Sequence, residues 1–213
     1  MRVPVTGASR TDAGVHALGQ VASFAADTRI PEDRLAMAIN ARLPQDVRVR
    51  DACVVHDRFD PISDCVSKCY RYSMAHGDRG TDGALIFDRR TTWTTWHVLD
   101  VARMQAAAAA LVGTHDFAAF AQVNHGREST VRTVFGCTVS TPAPGRIRVE
   151  VCGNGFLYNM VRIVAGTLSE AGRGRIGAAD VRRALLEGDR TVTGPTLPPH
   201  GLRLEWVRYG AER

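Results

Sequence analysis

The sequence lacks most of what would mark a membrane-bound, secreted or metal-dependent protein. Its longest apolar runs fall short of a bilayer span, and no basic segment followed by an apolar one opens it, so neither membrane insertion nor secretion is indicated. Cysteine is sparse: Cys53, Cys65, Cys69, Cys137 and Cys152 make an odd number with scattered spacing. None forms a Cys-x-x-Cys pair, and His-Glu-x-x-His does not occur. These cysteines read as reduced thiols, mostly buried, in an intracellular protein. Lysine is almost missing, with Lys68 its one representative. No internal repeat shows at solenoid periods, and no low-complexity tract beyond short alanine runs.

What is present is an ordinary globular composition. The 213 residues, 45% hydrophobic and 23% charged, suffice for one good core or two small ones. The formal net charge is +5, carried by arginine, whose planar fork binds two phosphate oxygens at once. That excess suits an acidic partner such as nucleic acid, although a GC-rich genome would produce the same arginine bias whatever the function.

The chain is organised around Ser9-Arg10-Thr11-Asp12-Ala13-Gly14-Val15-His16-Ala17. The short apolar run Val3-Pro4-Val5 precedes it and the alternating residues 20–24 follow, so it reads as a loop between two strands that turns at Gly7 and Gly14. A cation beside a carboxylate favours the charged form. An ionised, positioned carboxylate can attack an electrophilic carbon or stabilise a cationic one. Taken bare, Arg-x-Asp more often means a loop salt bridge.

Downstream, Pro31, acids in the first turn and apolar residues at 35, 39 and 43 predict an amphipathic helix over 31–43. Residues 47–55 and 67–74 alternate as strands, and Tyr70 and Tyr72 on the second read as cross-strand packing. His56-Asp57-Arg58-Phe59 reads as a strand end with a surface ion pair. Residues 77–83 form a loop and the seam between two halves. Trp93 and Trp96 precede a helix over 97–112, which carries Leu99, Met104 and Leu111. Residues 113–120 read as its C-cap with Phe117 and Phe120 turned inward, rather than as acid–base chemistry by His115 and Asp116. Residues 122–129 are polar and expected to be mobile, and 131–139 and 146–152 form a hairpin across residues 142–145. Residues 155–168 read as a helix apolar on nearly all sides and therefore buried. Its one charge, Arg162, must then have a carboxylate or an anionic ligand as partner, so ordering the fold and serving a site both stand open. A short helix over 178–186, a rigid Pro-rich loop over 189–202 and a last strand over 203–209, with Leu204 and Trp206 on one face, complete the chain.

Residues 10–17, Arg-Thr-Asp-Ala-Gly-Val-His-Ala, closely resemble the signature of the tRNA pseudouridine synthase A family (TruA-type), where glycine usually stands at the position of Ser9. Further motifs follow in the family's order. His56-Asp57-Arg58-Phe59 resembles its His-Ala-Arg-Phe segment, and Lys68-Cys69-Tyr70-Arg71-Tyr72 its Arg-x-Tyr-x-Tyr strand, with residues 61–65 resembling a small insertion. Gly113-Thr114-His115-Asp116-Phe117, Arg132-Thr133 and Phe156-Leu157-Tyr158-Asn159-Met160-Val161-Arg162 are similar to family segments at the same places. So is Gly194-Pro195-Thr196-Leu197-Pro198-Pro199-His200-Gly201-Leu202, and the resemblance covers essentially the whole chain.

The resemblance implies an α+β fold of two pseudo-related halves, each a mixed or antiparallel sheet backed by helices, with a basic cleft between them. Residues 1–76 would be a partial N-terminal catalytic half and residues 77–213 the C-terminal half. Family members carry about fifty residues before the signature, with a Tyr-Asp-Gly…Gly-Trp-Gln strand and a helix; without them the first half is expected to be incomplete and to expose a sheet edge. The implied reaction converts uridine to pseudouridine in the anticodon arm of tRNA. In it Asp12 would be the catalytic residue, and Arg10 and Arg162 would hold it ionised and bind phosphate. Tyr70 would stack on the uracil and serve as a candidate base, and Leu202 would line the target pocket. No metal or organic cofactor is implied. The implied partner is tRNA, the implied assembly a homodimer, and the implied location the cytoplasm or an organelle, away from membranes.

Overall fold

The computed structural model describes residues 3–77, 84–122 and 129–210. Its frame is a seven-stranded mixed sheet built on one long central strand, β4 (Cys65–His76). On one side β4 pairs antiparallel with β8 (Arg146–Gly153), which continues through β7 (Val131–Ala143) to β6 (Gly113–Asp116) at the edge. The other side of β4 is shared. The last strand, β9 (Leu202–Tyr209), runs antiparallel along its first part, and β5 (Trp93–Thr95) runs parallel along its end. Beyond β9 lies β2 (His16–Ala17), paired parallel to it. A separate two-stranded ribbon joins β1 (Thr6–Gly7) to β3 (Ala22–Ser23).

The period-two pattern decides which face is covered. Tyr70, Tyr72 and Met74 on β4 lie opposite Val151, Val149 and Ile147 on β8, and all six are buried. The alternate positions carry Arg71, Glu150, Arg203 and Glu205, which pair with one another. An antiparallel sheet with one apolar face must bury that face under something else. Here the cover is helical: α3 (Val101–Ala109), α4 (Met160–Gly172) and α5 (Ala178–Glu187). Together with α1 (Glu32–Asn40) and α2 (Ala84–Asp88) they are the α-helices of the described residues, and the α+β class is as expected.

Several local expectations needed correction. Residues 155–159 are not helical: α4 begins at Met160, after Asn159 in the left-handed region (φ 60), but it is as buried as its sequence implies. The helix expected over 97–112 shortens to α3, capped by Asp100, whose carboxylate accepts from the Arg103 amide. Gly113-Thr114-His115-Asp116 is the strand β6 rather than a helix cap, because β7 offers it a partner, while Phe117 and Phe120 do turn into the core. Residues 47–55 form no strand. The alternation is there, but the backbone of Val49 is bonded by the Asn40 side-chain amide in both directions, at 2.7 and 2.8 Å, instead of by a neighbouring strand. Of residues 20–24 only Ala22–Ser23 pair. Around His56 no strand ends and no ion pair forms among the described residues; Phe59 instead lies edge-on to Tyr209, centroids 5.1 Å apart.

The cysteines also depart from the reduced state expected. Register places Cys69 directly opposite Cys152 on β4 and β8, and the two are joined as a disulfide. Cys53, exposed, Cys65, half-buried, and Cys137, buried, are free; burial pushes the Cys137 thiol up to about 12. Within the expected seam at 77–83, residues 78–83 lie outside the described residues, as do 123–128 of the polar segment 122–129. No helix among the described residues is long and apolar enough to cross a membrane.

One close approach of backbones locks the helical layer. A Cβ on Gly166, in the middle of α4, would stand 1.9 Å from the Pro195 carbonyl oxygen, and one on Gly194 2.3 Å from the Gly166 carbonyl carbon. Backbone cannot yield as a flexible side chain can, so the loop before β9 seats on α4 only because both positions are glycine. Gly166→Ala is expected to cost about 3 kcal/mol by chemical denaturation, an overpacking loss. Gly136→Ala, whose added methyl meets nothing within 4 Å, is the control and should leave the midpoint almost unmoved.

Candidate active site

Asp12 sits in a tight turn that its own backbone closes: the Val15 amide donates to the Asp12 carbonyl at 2.9 Å, and Gly14 at the third position has φ 85. That conformation favours glycine. A side chain at Gly14 would also meet Pro199, at 3.1 Å from its Cγ. The turn therefore rests on the short 3-10 segment Pro199–Gly201 that leads into β9.

Polar tethers fix the rest of this loop. The Ala8 amide donates to the Val21 carbonyl at 2.9 Å, and the buried ammonium of Lys68 donates to the Ala8 carbonyl at 3.0 Å. Gln20 grips Ser9 from both sides, its amide nitrogen donating to the Ser9 carbonyl at 2.7 Å and its oxygen accepting from the Ser9 amide at 3.3 Å. Beyond Asp12, the His16 ring shares a 2.7 Å hydrogen bond with the Arg90 carbonyl.

Arg162, from the first turn of α4, meets this loop across 150 positions of sequence. Its Nη1 donates to the Asp12 carboxylate at 3.4 Å, the side chains being 15% and 32% exposed. Its shorter bonds go elsewhere, from Nη1 to Asn159 Oδ1 at 2.6 Å and from Nε to the Leu197 carbonyl at 2.7 Å. Asn159 in turn donates to the Gln122 side chain. Neutral partners thus orient the guanidinium, and the carboxylate receives its remaining reach. A charge-assisted bond is normally nearer 2.7–2.9 Å, so Arg162 faces the Asp12 carboxylate without clamping it.

Tyr70 completes the cluster. A register shift between β4 and β9 falls between Cys69 and Tyr70, leaving Glu205 as an extra residue on β9, and such bulges re-aim the side chains beside them. The Tyr70 ring is buried against Phe156, edge-on with centroids 5.3 Å apart. Burial pushes its phenol above the ordinary value; the Ser9 hydroxyl beside it opposes the rise, and the Asp12 charge adds to it. Burial likewise raises the Tyr72 phenol, which donates to the Pro198 carbonyl at 2.7 Å, with the Arg162 charge working against the rise.

Of the five residues singled out in the sequence, Asp12, Arg162 and Tyr70 come together. Leu202 is buried opposite Tyr72 at the start of β9, directly after the segment that carries the Asp12 turn. Arg10 is exposed and makes no hydrogen bond or ion pair among the described residues, so the cation beside Asp12 is Arg162. Asn159, Lys68, Ser9 and Gln20 escaped the sequence reading. Two carried a signal: an asparagine just before a helix tolerates the left-handed region, and Lys68 is a charge in an apolar alternation. Among the described residues no three His, Cys, Asp or Glu side chains gather as a metal site.

Arg162→Lys should show how far the fork holds this junction. A single ammonium cannot reach Leu197, Asn159 and Asp12 in one plane, so the variant is expected to lose about 2 kcal/mol by thermal or chemical denaturation, on the scale of hydrogen bonds to a charged group.

The arrangement offers a charged carboxylate at a loop turn, a guanidinium behind it and a phenol at its side, on a scaffold with excess positive charge. The tRNA pseudouridine synthase family profile matches residues 1–61 and 107–210. The tRNA pseudouridine synthase A of Geotalea uraniireducens is 43% identical over 207 residues, which cover 97% of this chain and 83% of that protein. The enzyme of the same name from Ruminiclostridium cellulolyticum is 41% identical, covering 97% and 83%, and that of Bacillus subtilis 40% identical, covering 98% and 82%. With matches of this extent on both measures, the chain belongs to the tRNA pseudouridine synthase A family.

Proposed function

We propose that this chain isomerises uridine to pseudouridine in tRNA, in the anticodon arm, with Asp12 as the catalytic residue. The observation that carries the reading is the meeting of Asp12, Arg162 and Tyr70, from three distant parts of the chain, in a member of this family. In the reaction the bond from ribose C1′ to uracil N1 breaks, the base turns, and C1′ bonds to C5. C5 gives up its proton and N1 ends protonated, so the product is an isomer and no co-reactant is consumed. Asp12 either adds to C1′ or removes a 2′ proton. A positioned carboxylate is suited to each, as nucleophile or as base.

The other residues take supporting roles. Arg162, oriented by Leu197 and Asn159, offsets the Asp12 charge and binds a nearby phosphate of the tRNA. Tyr70 faces the uracil and takes the C5 proton, which a phenol can do only after losing its own. Arg10, exposed and unengaged among the described residues, is available to the tRNA backbone, and Leu202 lines the base pocket. Surface arginines grip the phosphates and recognise shape more than sequence. A paired target must leave the stack to be reached.

The same reading includes a homodimer in the cytoplasm. It also divides the chain into a first half, residues 1–76, and a C-terminal half, residues 77–213.

Tritium release from C5-labelled uridine in tRNA is the direct assay. The chain is expected to release tritium, and Asp12→Ala to lose at least about a thousandfold in rate while still retaining tRNA on a filter. Retention without release by the unaltered chain would favour a binding protein instead. Tyr70→Phe keeps the ring and loses the hydroxyl; it is expected to bind normally and slow by about a hundredfold or more, the scale of general acid–base catalysis.

A further inference from the structure

Among the described residues Asn159 is the one non-glycine residue with its backbone in the left-handed region, at φ 60. Glycine enters that region more freely than asparagine, so what asparagine brings to the position is its side-chain amide. Both ends of the amide are engaged. Its oxygen accepts from Arg162 Nη1 at 2.6 Å, and its nitrogen donates to Gln122 Oε1. Gln122 follows the 3-10 turn Ala118–Phe120, whose Phe120 is fully buried, and its backbone amide donates to the Tyr158 carbonyl at 3.2 Å. The end of that turn and the residues before α4 are thus joined twice, once through backbone and once through side chains.

We infer that Gln122 is a positioning residue of the site: through Asn159 it holds the Arg162 guanidinium in the plane that faces Asp12. The inference rests on the roles of Arg162 and Asp12 proposed above. The polarity of the relay runs one way, because a guanidinium can only donate. Asn159 must therefore turn its oxygen to Arg162 and its nitrogen outward, and the Gln122 oxygen takes that nitrogen. The bond from Arg162 Nε to the Leu197 carbonyl would by itself leave the plane free to swing about it. The second bond, at Nη1, stops the swing and aims the other Nη1 hydrogen at the Asp12 carboxylate. Gln122 is exposed, so its side chain adds little to the core, and its contribution lies in this bond.

Gln122→Ala and Gln122→Glu test this, since alanine removes the acceptor and glutamate keeps it. Gln122→Ala is expected to lower kcat about fivefold, the scale of one neutral hydrogen bond, with KM for tRNA and melting temperature unchanged. Gln122→Glu should keep kcat within about twofold of the unaltered chain at saturating tRNA. In Asn159→Gly, which keeps the backbone conformation and has no amide, adding Gln122→Ala should cost nothing further. A raised KM with kcat intact would overturn the inference, marking Gln122 as a direct contact to tRNA. So would losses that multiply in the double variant, or a kcat loss that follows a falling melting temperature and is not restored by glutamate. If the unaltered chain releases no tritium, the pseudouridine synthase reading fails on its own. Exchange of the Arg162 Nε proton with solvent, followed by NMR and assigned with Arg162→Lys, then still decides. It should quicken about fivefold in Gln122→Ala and return in Gln122→Glu; exchange that neither substitution moves overturns the inference.

Discussion

The Arg162 guanidinium is the interaction on which the site depends. One planar group joins the start of α4, the loop at Leu197 and the turn at Asp12, pieces separated by up to 150 positions. Its two short bonds are to a carbonyl and an amide oxygen, both neutral. The order of lengths matters: a guanidinium fixed by its carboxylate would move with that carboxylate, whereas this one is fixed by neutral partners on its own side of the junction. The ion pair at 3.4 Å then supplies compensating charge without being what holds the guanidinium in place.

That junction can form because the sheet and α4 are brought together without tolerance. Gly166 and Gly194 let the loop backbone lie directly on the helix backbone, and the Pro198 carbonyl, in the same loop, accepts from Tyr72 in the core. A methyl group at either glycine would lift the loop and carry the Leu197 carbonyl away from Arg162. The bulge opposite Tyr70 belongs to the same fit, beside a loop that is tied through β2 to the first residues of β9.

Much of this was legible in the sequence where a single period governed a segment. The alternation in β4, β7, β8 and β9 gave strands in nearly the right places, and the all-round apolarity before and after Arg162 implied the burial that α4 shows. Patterns failed where a partner decided the outcome. Residues 47–55 alternate like a strand but are bonded by the Asn40 amide, and residues 113–116 resemble a helix end but are captured by β7. The Cys69–Cys152 bridge depends on register between strands far apart in sequence, which spacing does not encode. At the site, Asp12, Tyr70 and Arg162 were found because their motifs resemble a family's. Arg162 rather than Arg10 stands beside Asp12 because a tertiary contact outweighed sequence proximity. Ser9, Gln20 and Lys68 left little trace, since nothing local says which backbone group a polar side chain will reach.

The site loop and its surroundings obey different constraints. Among residues 3–60 Ala8 alone is buried, and α1 buries none of its residues. A region with so few apolar contacts gains little from its own burial and opens locally at low cost. The residues around Asp12 escape this because their tethers run to the sheet and its loops rather than to their own neighbours. Lys68 holds Ala8, β9 pairs with β2, the Arg90 carbonyl meets His16, and Pro199 and Arg162 meet the turn itself. Any loosening between α4 and the loop before β9 therefore reaches Asp12. Asp12 is carried by the early part of the chain, but its geometry is a property of the later part.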